Sequence, residues 1–110
     1  MPVPGPLRGA SWAIVAGMFI LMSIHHPRPE HRAALLDSMH RYGAAIRGNP
    51  CLRGVHTLQD ARSTRLVGLA IFDSQADFER LAPLARAAVQ DDPFDVWEEV
   101  EIDGLMLTEA

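Results

Sequence analysis

Met18-Phe19-Ile20-Leu21-Met22-Ser23-Ile24 is a strand-length run that is apolar on both faces. A strand with one wet face alternates apolar and polar residues, whereas a strand buried on both sides does not. Leu66-Val67-Gly68-Leu69-Ala70-Ile71-Phe72 repeats the pattern. Two helical segments, 30–47 and 75–90, are enough to cover one face of a small sheet. In a chain of 110 residues the other face is expected to be covered by a second copy of the same sheet, which predicts a homodimer.

Working outward from that run, the first strand is expected to reach His26. Pro27 and Pro29 end it and open a helix, because proline suits a first turn and not an interior. Leu35, Met39, Tyr42 and Ile46 recur at spacings of 4, 3 and 4, one apolar helical stripe. Gly48-Asn49-Pro50 stops the helix, with Gly for the left-handed position and Pro to prevent continuation. A strand over 52–58, a hairpin loop at Asp60-Ala61-Arg62-Ser63 and a strand over 65–72 follow. Ser74 supplies an N-cap, and Asp77 suits the dipole of the next helix. Phe78, Leu81, Ala85 and Ala88 form that helix's stripe. Pro83 inside it predicts a kink or break. Asp91-Asp92-Pro93 ends it, and 96–108 reads as a strand interrupted at Asp103-Gly104. The order β-α-β-β-α-β is the ferredoxin-like split-βαβ arrangement, an α+β fold.

Net charge is −4, which gives no reason to expect nucleic acid as a partner. The ten basic residues are all Arg. Without Lys, Schiff-base and Lys-nucleophile mechanisms are excluded. The single Cys51 excludes an intrachain disulfide and fits a reducing, cytoplasmic setting. It follows Pro50 with no neighbouring base, so it reads as a packed small side chain. Residues 10–24 are nearly all apolar, but a membrane span needs about twenty residues. The run continues into Ser-Ile-His-His-Pro with no cleavage site, so it reads as a strand and not as a membrane or targeting segment. Residues 1–17, rich in Pro and Gly, read as an N-terminal extension to a domain at 18–110.

Three of the five histidines, His25, His26 and His31, fall at the corner around Pro27 and Pro29. Adjacent strand residues point to opposite faces, so His25 shares a face with Phe19, Leu21 and Ser23, and His26 with Ile20, Met22 and Ile24. One of the two must therefore border the pocket between sheet and helices. His31 precedes Leu35 by four, beside the apolar stripe, in a first turn that disfavours a second positive charge. A neutral imidazole beside an apolar pocket can act as a general base. His40 projects away from the stripe, and His56 could face either side of its strand. No His-x-x-x-His, Glu-x-x-His or Cys-x-x-Cys spacing occurs, so no metal site is expected; the cluster of His25, His26 and His31 with Glu30 is a weak signal for an adventitious divalent metal only. Tyr42, Phe94 and Trp97 are either core and interface anchors or a flat wall for an aromatic ligand.

The opening Met-Phe-Ile-Leu-Met-Ser-Ile-His-His-Pro-Arg-Pro-Glu, the Arg47-Gly48-Asn49-Pro50-Cys51-Leu52 link and the Leu69-Ala70-Ile71-Phe72-Asp73-Ser74-Gln75-Ala76-Asp77-Phe78 helix entry carry a resemblance. Together they resemble the dimeric α+β barrel superfamily, and within it the antibiotic-biosynthesis-monooxygenase-like proteins. The resemblance spans Met18 to the C-terminus. It implies a homodimer with a small apolar pocket in each protomer, binding a small apolar or aromatic molecule. It also implies oxidation of an aromatic or quinol-like substrate with no cofactor. The Asp91-Asp92-Pro93-Phe94 run resembles the Asp-Pro-Phe turn of the YCII-like branch, where an Asp–His pair is the suspected catalytic unit, and this puts Asp92 beside a strand-end His as its orienting partner. The haem-degrading branch uses a His of the second helix and an Asn of the first strand. Here 75–90 holds no His and Asn49 is the chain's one Asn, which speaks against haem chemistry. The Asn–Trp pair of the quinone-forming oxygenases also has no match. A binding or accessory protein, or an isomerase or lyase, are the competing expectations on one scaffold.

Overall fold

The computed structural model describes residues 18–110. The expectation for 1–17 lies outside the described residues. In chain order the elements are β1 (Phe19–His25), a 3-10 turn (Pro29–His31), α1 (Arg32–Ile46), β2 (Leu52–Gln59), β3 (Leu66–Phe72), α2 (Gln75–Ala88), α3 (Phe94–Trp97) and β4 (Asp103–Thr108). The four strands form one antiparallel sheet in the order β2-β3-β1-β4. The two doubly apolar runs are its central strands. The ferredoxin-like α+β expectation holds.

Register assigns every strand residue to a face. Ile20, Met22 and Ile24 stand opposite Ile71, Leu69 and Val67, and Leu105 and Leu107 join that row from β4. Phe19, Ala70 and Phe72 lie on the other face. There they pack with Ile46 of α1 and with Phe78, Leu81, Ala82 and Ala85 of α2. A smaller cluster of Leu35, Met39 and Leu66, with Trp97 and Phe94 against it, closes the end of the layer where His25 lies. Both helices thus serve one face. The Ile20–Met22–Ile24 face stays partly open, and Leu58, Leu105 and Leu107 are 44%, 38% and 37% exposed.

Local signals explain most boundaries. Gly48 takes a φ of +94° after α1, a conformation L side chains rarely adopt. The Ser74 hydroxyl accepts the Asp77 amide at 3.1 Å, capping α2.

Two expectations need correction. The helix α2 runs unbroken through Pro83. Its buried residues, Leu81, Ala82 and Ala85, flank the proline, while Pro83 and Glu79 are exposed. Water can therefore satisfy the Glu79 carbonyl that Pro83 leaves without a donor, and core packing holds the helix together. The exposed Ala88 also leaves the stripe, and Val89 is buried in its place. The second correction is at 96–102: Phe94–Trp97 is a short helix, and β4 begins only at Asp103. Among the described residues no helix is long and apolar enough to cross a membrane.

Candidate functional site

Between sheet and helices lies a cavity of about 250 Å³, with walls that are mostly apolar. Its polar groups are few, and they converge from separate elements. They are Ser23 and His25 of β1, Ser38 and Tyr42 of α1, His56 and Thr57 of β2, and Arg86 of α2. Phe94 closes one side.

The centre of the site is a buried acid–imidazole pair. His25 and Glu98 are 6% and 4% exposed. His25 Nδ1 lies 2.5 Å from Glu98 Oε2, and the backbone amide of His26 donates to Glu98 Oε1 at 2.8 Å. Backbone pairing fixes this geometry. Pro27 bridges Glu98, Glu99 N donates to His26 O at 2.7 Å, and Arg28 N donates to Trp97 O at 2.8 Å. The segment after α3 is thereby laid along the strand end, with the Glu98 side chain turned inward.

The hydrogen-bond roles follow from the donors. A carboxylate only accepts. Its Oε1 is taken by an amide that can only donate, so the proton between Glu98 Oε2 and the ring belongs on Nδ1. The other nitrogen, Nε2, is then the acceptor, and Ser23 Oγ lies 2.9 Å from it. The imidazole is oriented by an acid behind it and presents its basic nitrogen to a hydroxyl on the cavity wall. Gly68, opposite Ser23 on β3, keeps room for that hydroxyl, since a Cβ at 68 would stand 2.6 Å from Ser23 Oγ.

The other expected site residues fall in different places. His26 points away from the helix layer, and its Nδ1 finds no partner among the described residues. His31 sits on the 3-10 turn, outside the cavity lining. His40 is exposed, as its place on α1 predicts. His56 borders the cavity from β2, with its ring beside Gly54, where a Cβ would meet its Nε2 at 3.0 Å.

Asp92 does not orient a histidine. Arg41 Nη2 donates to it at 2.8 Å, and the Ser38 hydroxyl and this guanidinium hold its carboxyl below the usual range. The acid that orients the imidazole is Glu98. Tyr42 and Phe94 line the cavity, but Trp97 does not. Trp97 instead packs edge-on against Phe94, with ring centroids 5.7 Å apart. Burial pushes the Tyr42 phenol above its ordinary pKa, with Arg86 opposing, so Tyr42 enters the cavity as a hydroxyl donor.

Outside the cavity, Cys51, Asp73 and Asp77 bring ligand atoms within 4.8 Å of one another. Arginines already engage this group: Arg80 Nη2 is 3.2 Å from both Cys51 Sγ and Asp77 Oδ1, and Arg53 Nε is 2.6 Å from Asp73 Oδ1.

No sequence model of a known protein family matches the chain, and no curated protein matches it in sequence. Solved structures match its fold. The Rv0793 protein of Mycobacterium tuberculosis superposes with a TM-score of 0.71 over 84% of this chain and 95% of that one, at 16% identity. An antibiotic biosynthesis monooxygenase does so at 0.68 over 84% and 98%, at 9% identity. A mutant of SnoaB, a cofactor-independent oxygenase of Streptomyces nogalater, gives 0.64 over 86% and 94%, at 14% identity. The chain therefore has the ferredoxin-like fold of the antibiotic-biosynthesis-monooxygenase structures.

Proposed function

We propose that the protein is a cofactor-independent oxygenase of a small aromatic or quinol-like molecule. The observation that carries this reading is the buried Glu98–His25 pair, which presents a basic nitrogen to an apolar cavity. A binding site needs shape and a few polar contacts. An imidazole backed by a buried carboxylate is in addition equipped to take a proton.

In this reaction the substrate replaces the Ser23 hydroxyl at His25 Nε2, which accepts the acidic proton of an anthrone, naphthol or quinol. Glu98 stabilises the imidazolium that results. The substrate anion gives electrons to O₂, and the new C–O bond forms on the ring. For an anthrone, a ring CH₂ and O₂ become C=O and H₂O, so electrons balance with no outside reductant. Tyr42 and Arg86 supply a hydroxyl and a positive charge against developing negative charge. The apolar walls keep bulk water from competing. The fold shared with SnoaB supports this reading but does not specify the substrate.

The same reading includes a homodimer. Ile20, Met22, Ile24, Val67, Leu69, Ile71, Leu105 and Leu107 form a continuous apolar face, of the kind that a second sheet buries.

The test is oxygen uptake with a panel of naphthols, quinols and anthrones in chelator-treated buffer. Uptake with at least one compound is expected, falling 100-fold or more in folded His25→Gln, in line with the roughly 10²–10⁴-fold contribution of a general base. Uptake with none, or full activity in His25→Gln, overturns the proposal.

A further inference from the structure

The oxygenase reading uses Glu98 and His25 but leaves the third member of their chain unexplained. Ser23 Oγ, His25 Nε2, His25 Nδ1 and Glu98 Oε2 are joined by contacts of 2.9 Å and 2.5 Å. A hydroxyl within reach of an imidazole that an acid orients in turn is the geometric signature of an activated serine. Ser23 also borders the apolar cavity, and the missing side chain at Gly68 gives its oxygen room.

We propose that Ser23 is a nucleophile and that the protein transfers the acyl group of small apolar or aromatic esters or thioesters to water. Ser23 Oγ attacks the acyl carbon while its proton passes to His25 Nε2. The tetrahedral intermediate collapses, the bond from carbon to the leaving oxygen or sulfur breaks, and the leaving group takes the proton from Nε2. Water then attacks the acyl-serine with His25 again as base, releasing the acid and restoring Ser23. No oxidant or reductant is involved.

The position of Ser23 determines where the oxyanion is stabilised. Ser23 lies in the ladders of β1 with both β3 and β4, opposite Gly68 and Gly104. Its backbone amide is therefore committed to the sheet and is not free for the substrate. That leaves side-chain donors on the cavity wall, among them the Tyr42 hydroxyl, the Thr57 hydroxyl and the Arg86 guanidinium. The cavity volume of about 250 Å³ is below the roughly 300–1,000 Å³ of drug-sized sites, which favours a short acyl or compact aromatic group.

The experiment uses a fluorophosphonate probe on the full chain, read by intact mass and peptide mapping, together with p-nitrophenyl butyrate hydrolysis. The expected result is one phosphonyl group per chain on Ser23, with fluoride released. Labelling and hydrolysis should both be abolished in Ser23→Ala and fall about 10²–10⁴-fold in His25→Gln. Tyr42→Phe should slow hydrolysis by a smaller factor. No adduct, an adduct on another residue, or equal labelling rates in the parent and His25→Gln would each overturn the proposal. The labelling measurement on the unaltered chain does not depend on any variant folding. It is also independent of oxygen uptake, so failure of one activity leaves the other separately decided.

Discussion

Replacing Glu98 by Gln should change the chemistry of His25 more than the stability of the fold, because the direction of the new amide is forced. The His26 backbone amide can only donate, and it points at Glu98 Oε1 from 2.8 Å. A glutamine must place its carbonyl oxygen there. Its NH₂ group then occupies the Oε2 position, 2.5 Å from His25 Nδ1. To avoid opposing two donors, the ring must carry its proton on Nε2 and accept at Nδ1. Nε2 then becomes a donor toward Ser23 Oγ and can take no proton from hydroxyl or substrate.

The two consequences separate in magnitude. Both hydrogen bonds survive but lose the assistance of the charge, a difference of about 1 kcal/mol each and roughly 2 kcal/mol together. In a domain of this size that lowers Tm by about 8–16 °C. Locking an acid-backed imidazole in the wrong tautomer costs about 10⁴-fold in rate where it has been measured in serine-protease chemistry. The expectation for Glu98→Gln is therefore a folded protein with about 10⁴-fold less of whichever activity the site performs. Imidazole ¹⁵N spectra read the cause directly: Nε2 is the unprotonated nitrogen in the parent and the protonated one in the variant. Glu98→Ala should behave differently. It leaves two buried donors unpaired, at about 1–3 kcal/mol each, and should destabilise the fold visibly. If Glu98→Gln retains the parent's nitrogen signature, or more than a tenth of its activity, the orienting role given to Glu98 is refuted.

Met22 stands in register with both Leu69 and Leu105 at the middle of the open sheet face. Sedimentation should find the parent at twice the monomer mass and Met22→Arg as a monomer; a monomeric parent would refute the sheet-on-sheet dimer. Gly68→Ala should displace the Ser23 hydroxyl or the strand, costing about 1–3 kcal/mol and the labelling of Ser23, and unchanged stability with normal labelling would contradict the 2.6 Å approach. Pro83→Ala restores an amide to the Glu79 carbonyl at an exposed site and should raise stability in denaturant titration by up to about 3 kcal/mol, whereas a loss would show that the proline is matched to its surroundings. The Arg62 amide, the Ser63 hydroxyl and Arg65 together lower the Asp60 carboxyl to about 2. Because the folded value lies below the ordinary one, the stabilisation is full above the ordinary carboxylate range and is lost as pH falls through about 2; a carboxyl ¹³C titration with a midpoint near 4 would refute it.

The fold was legible because its deciding signals are local. Two runs apolar on both faces identified the central strands, stripes at spacings of three and four identified α1 and α2, and Gly48 and Ser74 marked their ends. The part that was misread, 96–102, carries no such period. Val96, Trp97 and Ile102 read equally well as strand residues, and the short helix depends on tertiary contact of Trp97 with the cluster of Leu35, Met39 and Leu66. Pro83 misled for a related reason. Its cost is set by whether the freed carbonyl reaches water, and helical position alone does not state that without knowing which face the core takes.

The candidate site divides along the same line. That one strand-end histidine would border the pocket follows from alternation alone, and alternation with register identifies it as His25. Ser23 lies on the same face two residues earlier, so two of the three members of the polar chain were present in a single strand. Its acid was not, because Glu98 lies 73 residues from His25 in sequence and sits in a charged run, Glu98-Glu99, that reads as solvated surface. What buries it is the bridge between Pro27 and Glu98. The proline that ends β1 has no amide to donate, yet its neighbours His26 and Arg28 pair with 97–99 across the corner. Asp92 had the more suggestive motif, but Arg41 and Ser38 had already claimed it. A side chain's neighbours along the chain therefore said less about its chemistry here than the backbone pairing that turns it inward. The residues most worth altering are for that reason the pair at 25 and 98, whose contact no sequence spacing announces and on which both proposed activities depend.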